Sequence, residues 1–553
     1  MTAVPNASAP LLIPGFRGVV RDDADARAVY AEAAGIQRRL PRAVVVPSDA
    51  EDVVTLVRWA AATATPLIPR GSGSSMAGGA IGHGVIVDLS RLRDIGPVDA
   101  TAQRVRVGPG VVLGALNAAL APSGLRFPVD PSSWSFCTLG GMASTNAAGA
   151  RTVAVGSTRP WVTALDCVFA DGSRALVRRG DPPPNVPPVA RFLTEAAPLL
   201  RRRESERPAR HPGVRKESSG YAISEWARGG EHAEDLVDLL VGSEGTLAIF
   251  VGIELTLQPV PAATASLLAA FPSLETAVDA AAAARAAGAS ACELLDKTFL
   301  DVAAAGPLPV EIPPGTEAVI MAEAEAASAG DAQAIVASIV AACERAGATA
   351  VRVADSADAE KKLWALRHAA SPILAKLDPS LKSMQFIEDG AVPPPRLAEY
   401  VRGVRAALAR QEIRGVIFGH AGDAHIHVNP LVDVRRPDWH ARISALLADV
   451  TALVASLGGT VSGEHGDGRL RAPLLEEVWG REIVERFALV KDAFDPERIL
   501  NPGAKVAPPE DAGIGDVKYD PSLPALTPSA RHALDRVERD RAYSTFRLDL
   551  LNE

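Results

Sequence analysis

Two stretches of very small residues, each set among strand-like segments, constrain this chain more than any other feature. The first, Pro69-Arg70-Gly71-Ser72-Gly73-Ser74-Ser75, runs directly out of the short apolar segment Pro66–Pro69. Glycine lets backbone N–H groups approach a ligand without a Cβ in the way, and successive N–H groups form an anion-binding nest. The spacing is neither GxGxxG nor GxxxxGK followed by Ser or Thr, so the usual dinucleotide and triphosphate fingerprints are absent. Alone it is a weak signal, because a surface turn has the same composition. The second stretch, Thr138–Gly149 (TLGGMASTNAAG), holds nothing larger than Met142 beyond its first two residues. Such a surface admits a flat ligand or another backbone, and tight helix packing is the plainer alternative. Gly242-Ser243-Glu244-Gly245-Thr246 adds a third small-residue loop.

Around these stretches the first third of the chain alternates short strands with helices. Strand patterns cover Ala43–Val46, Pro66–Pro69, Gly84–Leu89, Arg104–Val107 and Leu165–Ala170, and helical spacing covers Ala50–Ala64. A proline cluster within Arg178–Pro188 reads as a linker, Leu236–Gly245 as a helix ending in a loop, and Gly252–Leu257 as a closing strand. From about Pro261 the strands Ala265–Ala270, Ala318–Ala322 and Gly415–Gly419 alternate with alanine-rich helices, as in an α+β domain. The polar segment after Val506 ends in a charged helical pattern over Ser529–Tyr543.

With 553 residues the chain has room for three or four units at about 150 residues each. Its 48% hydrophobic and 22% charged residues exclude disorder, and a net charge of −9 argues against a nucleic-acid partner. The four cysteines, Cys137, Cys167, Cys292 and Cys343, are too scattered for an iron–sulfur ligand run or a disulfide framework, so reduced thiols in the cytoplasm are expected. Met1–Phe16 lacks a basic start and is cut by Pro5, Pro10 and Pro14, and runs such as Ala280–Ala289 are too short to cross a bilayer. No transmembrane segment is expected.

Ten histidines serve the whole chain, yet four fall in two short segments. In Phe418–Asn429, Val416–Gly419 reads as a strand, Ala421–Ala424 as a turn and His425–Asn429 as the returning strand. His425, His427 and Asn429 then share a face by the two-residue period, and the turn can bring His420 beside His427. Ser462–Gly468 (SGEHGDG) is a glycine-bounded loop presenting Glu464 and His465. Two histidines and a carboxylate make a catalytic metal set with open positions for substrate. A lone histidine more often satisfies a local hydrogen bond; the doublet of segments favours a site.

In order along the chain, PRGSGSS, TLGGMASTNAAG, GSTRPWV (Gly156–Val162), SGYAI (Ser219–Ile223), VGSEGTLAIF and LNPGAKV (Leu500–Val506) resemble the FAD-linked oxidases of the vanillyl-alcohol oxidase / p-cresol methylhydroxylase (PCMH) superfamily. The C-terminal half is similar to their D-lactate, glycolate and D-2-hydroxyglutarate dehydrogenase branch, and the likeness runs from about Pro41 to Val506. It implies an α+β protein: an N-terminal extension over 1–36, a two-subdomain PCMH-type FAD-binding domain over 37–259, an α+β substrate (FAD-linked oxidase C-terminal) domain over 260–506, and a tail over 507–553. By position, Arg70, Gly71, Ser72, Gly73, Ser74 and Ser75 would hold the pyrophosphate. Pro131, Thr138, Gly140, Gly141, Ser144, Asn146, Gly149, Ser157 and Thr158 would line the cofactor, Glu244, Gly245 and Ile249 would flank the flavin, and Asn501 would close over it. Ser74 and Ser75 stand where members with covalent flavin often carry a histidine, so non-covalent FAD is expected.

The same resemblance makes His420, His427 and Glu464 ligands of a divalent metal, zinc or manganese, and His465 the catalytic base. Arg367, Ser371, Lys382 and Asn429 become substrate contacts, a planar guanidinium suiting a carboxylate. His425 and Ala424 replace the family's usual Asn and Gly, which leaves the role of His425 open. The activity implied is FAD-dependent oxidation of a D-2-hydroxy acid to the 2-oxo acid. Electrons would leave to an iron–sulfur subunit, an electron-transfer flavoprotein or a quinone, since this chain has no cysteine run of its own; a homodimer and a peripheral membrane location are compatible. Alternatives are a flavin subunit active only in such a complex, an alkylglycerone-phosphate-synthase-like flavoenzyme, and a metal-dependent hydrolase, which would leave the small-residue loops unexplained.

Overall fold

The computed structural model describes residues 11–228, 235–304, 310–367, 380–508 and 514–552. The first sheet has four strands, β1 (Val19–Arg21), β2 (Ala43–Val46), β3 (Leu67–Arg70) and β4 (Val85–Asp88), in the order β1-β2-β4-β3. β2, β4 and β3 run parallel, and β1 adds an antiparallel edge. Because β2, β3 and β4 are apolar on both sides, this sheet needs cover on both faces. Helix α1 (Ala24–Val29) lies on one face and α2 (Ala50–Thr63) on the other. α2 is N-capped by Asp49, whose carboxylate accepts the Asp52 N–H, and it ends at Ala64 in a left-handed conformation. Its Val53, Leu56, Val57 and Ala60 pack on Ala43, Val45, Val85 and Val87.

The second sheet, β5 (Arg104–Val107), β6 (Val162–Phe169), β7 (Arg174–Arg178) and β8 (Ala248–Thr256), is antiparallel in the order β5-β8-β6-β7. Within Thr138–Gly149, Leu139–Thr145 forms a short helix, α3. The proline-rich segment does not run extended throughout, since Pro187 opens a helix at Pro187–Arg191.

The third sheet belongs to the second half of the chain and is antiparallel throughout. Its strands are β9 (Ala263–Phe271), β10 (Ala291–Asp296), β11 (Ala318–Ala326), β12 (Ala350–Val353), β13 (Leu381–Ser383), β14 (Gly390–Ala391), β15 (Arg414–His420) and β16 (His425–Asp433). The order is β12-β9-β11-β10-β15-β16-β13, with β14 also pairing β16. Four helices, α4 (Leu274–Ala286), α5 (Ala329–Arg345), α6 (Leu397–Arg410) and α7 (Trp439–Ser456), carry apolar stripes that pack into the core against it. No helix among the described residues is long and apolar enough to cross a membrane.

The ends of the chain are parts of the first subdomain. Helix α8 (Pro528–Asp540) lays Ala530, Ala533, Leu534 and Val537 beside Ala26, Val29 and Tyr30 of the α1 region. Together they cover the outward face of the first sheet, made by Val44, Val46, Ile68 and Ile86. The register of β1 on β2 likewise joins residues before 37 to the sheet that carries the first glycine loop.

Candidate functional site

Both small-residue stretches open onto one cavity of about 860 Å³, within the range of small-molecule sites. It is lined by Arg70, Gly71, Ser72, Gly73, Ser74 and Ser75, by Pro131, Thr138, Gly140, Gly141 and Ser144, and by Glu244, Gly245 and Ile249. Lys382, Asn429, Glu464 and His465 from the second half complete the same space.

The first loop leaves β3 and turns with its carbonyls engaged: those of Gly73 and Ser75 accept the N–H groups of Ala34 and Gly35 at 3.1 and 3.2 Å. The five N–H groups of Gly71 to Ser75 make no hydrogen bond to the described residues. A run of donors beside a cavity is the arrangement that binds a phosphate-type anion. A Cβ on Gly71 would run into Thr138 Oγ1, so the two stretches must both be small to lie this close. α3 contributes differently. Its leading N–H groups are already taken, Leu139 by Val111 O at 2.8 Å, Gly140 by Pro109 O at 2.9 Å and Gly141 by Thr138 Oγ1 at 3.3 Å. It therefore offers a flat wall of Gly140, Gly141 and Ser144 rather than a charge-binding end.

Five expected cofactor residues lie behind that wall. Asn146 caps α3 at φ 52° and its Oδ1 accepts the Arg159 N–H at 2.9 Å. Gly149 N–H donates to Thr152 Oγ1 at 3.1 Å, and Thr158 Oγ1 donates to the Ala147 carbonyl at 2.7 Å. Ser157, in the same turn, is also outside the lining. Asn501 Nδ2 donates to the carbonyls of Gly79 and Glu244 at 3.0 and 2.7 Å, tying two lining loops together.

The histidine hairpin is β15 and β16, in register His420 to His425 and Phe418 to His427. A three-residue helical turn and Ala424 at φ 55° close it, a left-handed position that a non-glycine residue adopts at some cost. The geometry brings His420 Nε2 and His427 Nε2 to 3.3 Å from each other and to 3.4 and 3.2 Å from Glu464 Oε1. His420 Nδ1 faces the Glu293 carboxylate, and His427 Nδ1 donates to the Glu388 carbonyl at 2.9 Å. Those partners place the ring protons on Nδ1, so both Nε2 atoms point lone pairs at each other and at a carboxylate oxygen. Three acceptors converging in a buried space fit a divalent cation, which two neutral histidines and a carboxylate would ligate.

The neighbouring residues hold this set in place. Asp389 is fully buried; it accepts the N–H of His465 at 2.9 Å, that of Glu464 at 3.2 Å and Ser462 Oγ–H at 3.1 Å. His425 Nε2–H donates to Asp389 Oδ1 at 2.8 Å, so His425 fixes the loop that carries Glu464 and His465. Burial pushes the His425 imidazole down to about 3, so it stays neutral. A Cβ on Gly463 would approach the His425 ring to 2.7 Å, which is why this loop passes there as glycine. His465 Nδ1 lies 3.1 Å from Glu388 Oε1. Burial opposes a charge on His465, but Asp389 and Glu388 outweigh it and lift its pKa to about 9. Lys216 Nζ, from the first half of the chain, sits 2.5 Å from Glu464 Oε2. It holds Glu464 well below the usual carboxylate range against the effect of burial.

Arg367 is not in the cavity lining. It ends the helix Ala357–Leu366, donates from Nε to Glu293 Oε2 at 2.7 Å and stacks 4.3 Å over the Phe418 ring. It thereby steadies the carboxylate that faces His420. Ser371 lies outside the described residues. Lys382 does line the cavity, with its Nζ 5.4 Å from the Tyr519 ring centroid.

Sequence reasoning passed over Lys216, Glu293, Glu388, Asp389 and a buried triad that joins the two halves. In that triad Lys505 Nζ lies 3.1 Å from both Glu244 Oε1 and Asp467 Oδ2. Glu244 also accepts the N–H groups of Asp467 and Gly468 at 2.7 and 2.9 Å. The available signal was proximity in sequence: Lys216 precedes SGYAI, Glu388-Asp389 precede Gly390, and Lys505 lies inside LNPGAKV.

The family model described as FAD binding domain matches residues 41–176, and that described as FAD linked oxidases, C-terminal domain, matches 260–504. The glycolate oxidase subunit GlcD of Bacillus subtilis is 29% identical over 88% of this chain and 94% of its own length. A D-2-hydroxyglutarate dehydrogenase of Pseudomonas putida is 30% identical over 99% of this chain and 56% of its own, and a D-lactate dehydrogenase of Archaeoglobus fulgidus 29% identical over 84% and 91%. The chain thus spans about half the length of the D-2-hydroxyglutarate dehydrogenases it matches. Among solved structures, a 4-ethylphenol oxidase from Gulosibacter chungangensis has a TM-score of 0.63 at 16% identity, covering 89% of this chain and 94% of that one. An alkyldihydroxyacetonephosphate synthase has a TM-score of 0.61 at 16% identity, covering 91% and 87%. These two likenesses concern the fold alone. With an FAD binding domain followed by the family's own C-terminal domain, the chain belongs to the FAD-linked oxidases.

Proposed function

We propose that the protein is an FAD-dependent dehydrogenase that oxidises a D-2-hydroxy acid to the 2-oxo acid. The observation that supports this best is the convergence of His420 Nε2, His427 Nε2 and Glu464 Oε1 beside His465, on the cavity that carries the free N–H run of Gly71 to Ser75. When bound, FAD supplies the two-electron acceptor and a divalent cation at His420, His427 and Glu464 supplies Lewis acidity. His465 turns Nδ1 to Glu388, and its Nε2, in the deprotonated ring, is the nitrogen that takes the substrate's hydroxyl proton, a transfer that Glu388 and Asp389 favour by stabilising the resulting cation. The C2 hydrogen leaves with its electron pair as the C–O double bond forms. Lys382 and Asn429 are the cation and amide available in the cavity for the substrate carboxylate. The nest of Gly71 to Ser75 receives the pyrophosphate, with Ser74 and Ser75 making no covalent flavin link.

The relatives support the substrate class by their names: glycolate, D-lactate and D-2-hydroxyglutarate are all small 2-hydroxy acids. The test is anaerobic mixing of the FAD- and metal-loaded protein with each of these three. Bleaching of the flavin by one of them is expected; no bleaching by any, in fully loaded protein, overturns the assignment. Acid precipitation should release the flavin into the supernatant.

A second reading concerns the electron acceptor. The four cysteines are buried and scattered, and one matched relative is named a subunit. We infer that electrons pass to a separate iron–sulfur protein, electron-transfer flavoprotein or quinone. Co-purification with a cysteine-rich partner supports the first of these; rapid turnover by the chain alone with quinone favours the last.

A further inference from the structure

The segment after residue 513 lies outside both family matches, yet it forms a wall of the cofactor cavity. Arg541 and Tyr543, just beyond α8, line the cavity directly. The Arg541 guanidinium stacks 5.2 Å from the centroid of Phe136, a lining residue of the loop before α3, and the Phe136 and Tyr543 rings lie 5.2 Å apart. The Arg547 guanidinium in turn lies 5.4 Å from the centroid of the Tyr543 ring. Arg547 is 3% exposed, and its Nε and Nη1 have no hydrogen-bond acceptor among the described residues.

Arg547 and Arg70 are near enough to repel each other. Arg70 spends Nη1 and Nη2 on the carbonyls of Tyr30, Ala80 and Glu32, while its Nε is also without an acceptor. The neighbouring anion, Asp88, already accepts the Tyr30 hydroxyl and the Ser90 N–H. No carboxylate among the described residues pairs with Arg541 or Arg547. Arg70 and Arg547, both buried, have Asp88 as their neighbouring anion, and Arg541 adds a third guanidinium at the cavity, while Glu538 on the same wall is taken by Lys518 at 2.5 Å; the N–H groups of the adjoining loop lack acceptors among the described residues. Uncompensated positive charge of this density is costly unless a ligand brings the opposite sign.

We propose that the C-terminal segment is part of the FAD site, with Arg541, backed by Arg547 and Arg70, neutralising the cofactor's pyrophosphate over the Gly71–Ser75 nest. The negatively charged pyrophosphate would supply the anion that these guanidiniums lack. The proposal rests on the FAD-linked family alone, so it stands or falls separately from the substrate assignment.

The experiment is FAD titration of the full-length chain stripped of flavin, comparing the native protein with R541Q at low and high salt. The FAD Kd of R541Q should rise roughly tenfold at low salt, as loss of one charge-assisted contact implies, and the gap should narrow at high salt through screening. ADP, which carries the same pyrophosphate, should lose affinity by a similar factor when used as the competitor. Arg541 is exposed, so the melting temperature of the flavin-free variant should match the native one. Should it fall, R541K restores charge on a similar stem: recovered FAD affinity supports the proposal, and no recovery overturns it. An FAD Kd within twofold of native, or an FAD loss that ADP does not share, also overturns it.

Discussion

Replacing Lys505 by methionine isolates the interaction that locks the catalytic loop onto the FAD domain. Lys505 is buried with its Nζ 2.6 Å from the Ser218 carbonyl and 3.1 Å from each of two carboxylates, Glu244 and Asp467. Both carboxylates are buried as well, and backbone N–H groups together with Ser219 Oγ already donate to them. In K505M they face each other with no cation, an uncompensated buried charge worth about 3–5 kcal/mol. The loss is relieved if the pair takes up a proton. From a carboxylate reference pKa of about 4, that uptake costs about 1.4 kcal/mol per pH unit above it, or about 4 kcal/mol at pH 7. The two figures agree.

The sign of the pH dependence follows. In K505M the folded pair has a raised pKa, so its stability is greatest below the unfolded carboxylate value and falls as pH rises through the folded value. The native Lys505 pKa is itself raised, against burial, by Asp467 and Glu244, so its contribution is full at neutral pH and is lost only on the alkaline side. The variant's deficit should therefore be about 3 kcal/mol smaller at pH 5 than at pH 7. At roughly 2 °C per kcal/mol for a unit of the C-terminal domain's size, K505M should melt about 6–10 °C below native at pH 7 and much closer to it at pH 5. Differential scanning fluorimetry on FAD-loaded protein gives the comparison. A shift under about 2 °C at pH 7, or one equal at both pH values, would refute the reasoning.

Three further expectations test other parts of the structure. E464Q should lose divalent metal by elemental analysis while keeping flavin absorbance; retained metal with full activity rejects the ligand set. G71A places a methyl against Thr138 Oγ1 and should cut FAD retention on gel filtration by at least roughly tenfold, and native retention would show that the loop is not a contact surface. Between the halves, Arg151 is shared by Asp130, Glu323 and Glu325 at 2.5–2.9 Å, with Arg126 also on Glu325 at 2.8 Å. Burial lifts Glu323 to about 7 although Arg151 works against it, so its contribution to stability is present at acid pH and lost as pH rises through about 7. E323Q should flatten the fall in native melting temperature between pH 5 and 8; an unchanged slope would locate that proton elsewhere.

The hairpin was legible because its determinants are local, whereas Glu464, on a separate loop, was placed with its histidines by the family resemblance. Phe418–Asn429 has a strand's period, a turn where β15 meets β16, and histidines whose spacing alone brings His420 to His427. The first glycine loop was legible for the same reason. Strand ends were less so: Leu165–Ala170 proved to be Val162–Phe169, and Gly252–Leu257 to be Ala248–Thr256, because pairing between β6 and β8 extends both past their apolar centres. The composition of Thr138–Gly149 left a ligand surface and tight helix packing both open, and Thr138 caps a helix that Pro109 and the cavity both require to be small. What no local pattern carries is pairing at long range. Lys216 with Glu464, Glu293 with His420 and Lys505 with Glu244 join residues that the sequence separates by more than a hundred positions. The amphipathic repeat of α8 announced a helix, but not which sheet face would receive it.

The pairing of Lys216 with Glu464 bears on how such proteins can be recombined. The histidines sit on one half of the chain and the ammonium that sets the charge of their carboxylate sits on the other. A chimera that grafts this C-terminal domain onto a foreign flavin module would import the hairpin intact and still lack that counter-ion, along with the glutamate that Gly468 and Asp467 lean on. Swaps should respect the seam by carrying residues 216 and 244 with the C-terminal domain, and inactive hybrids are best repaired there before the histidines are touched.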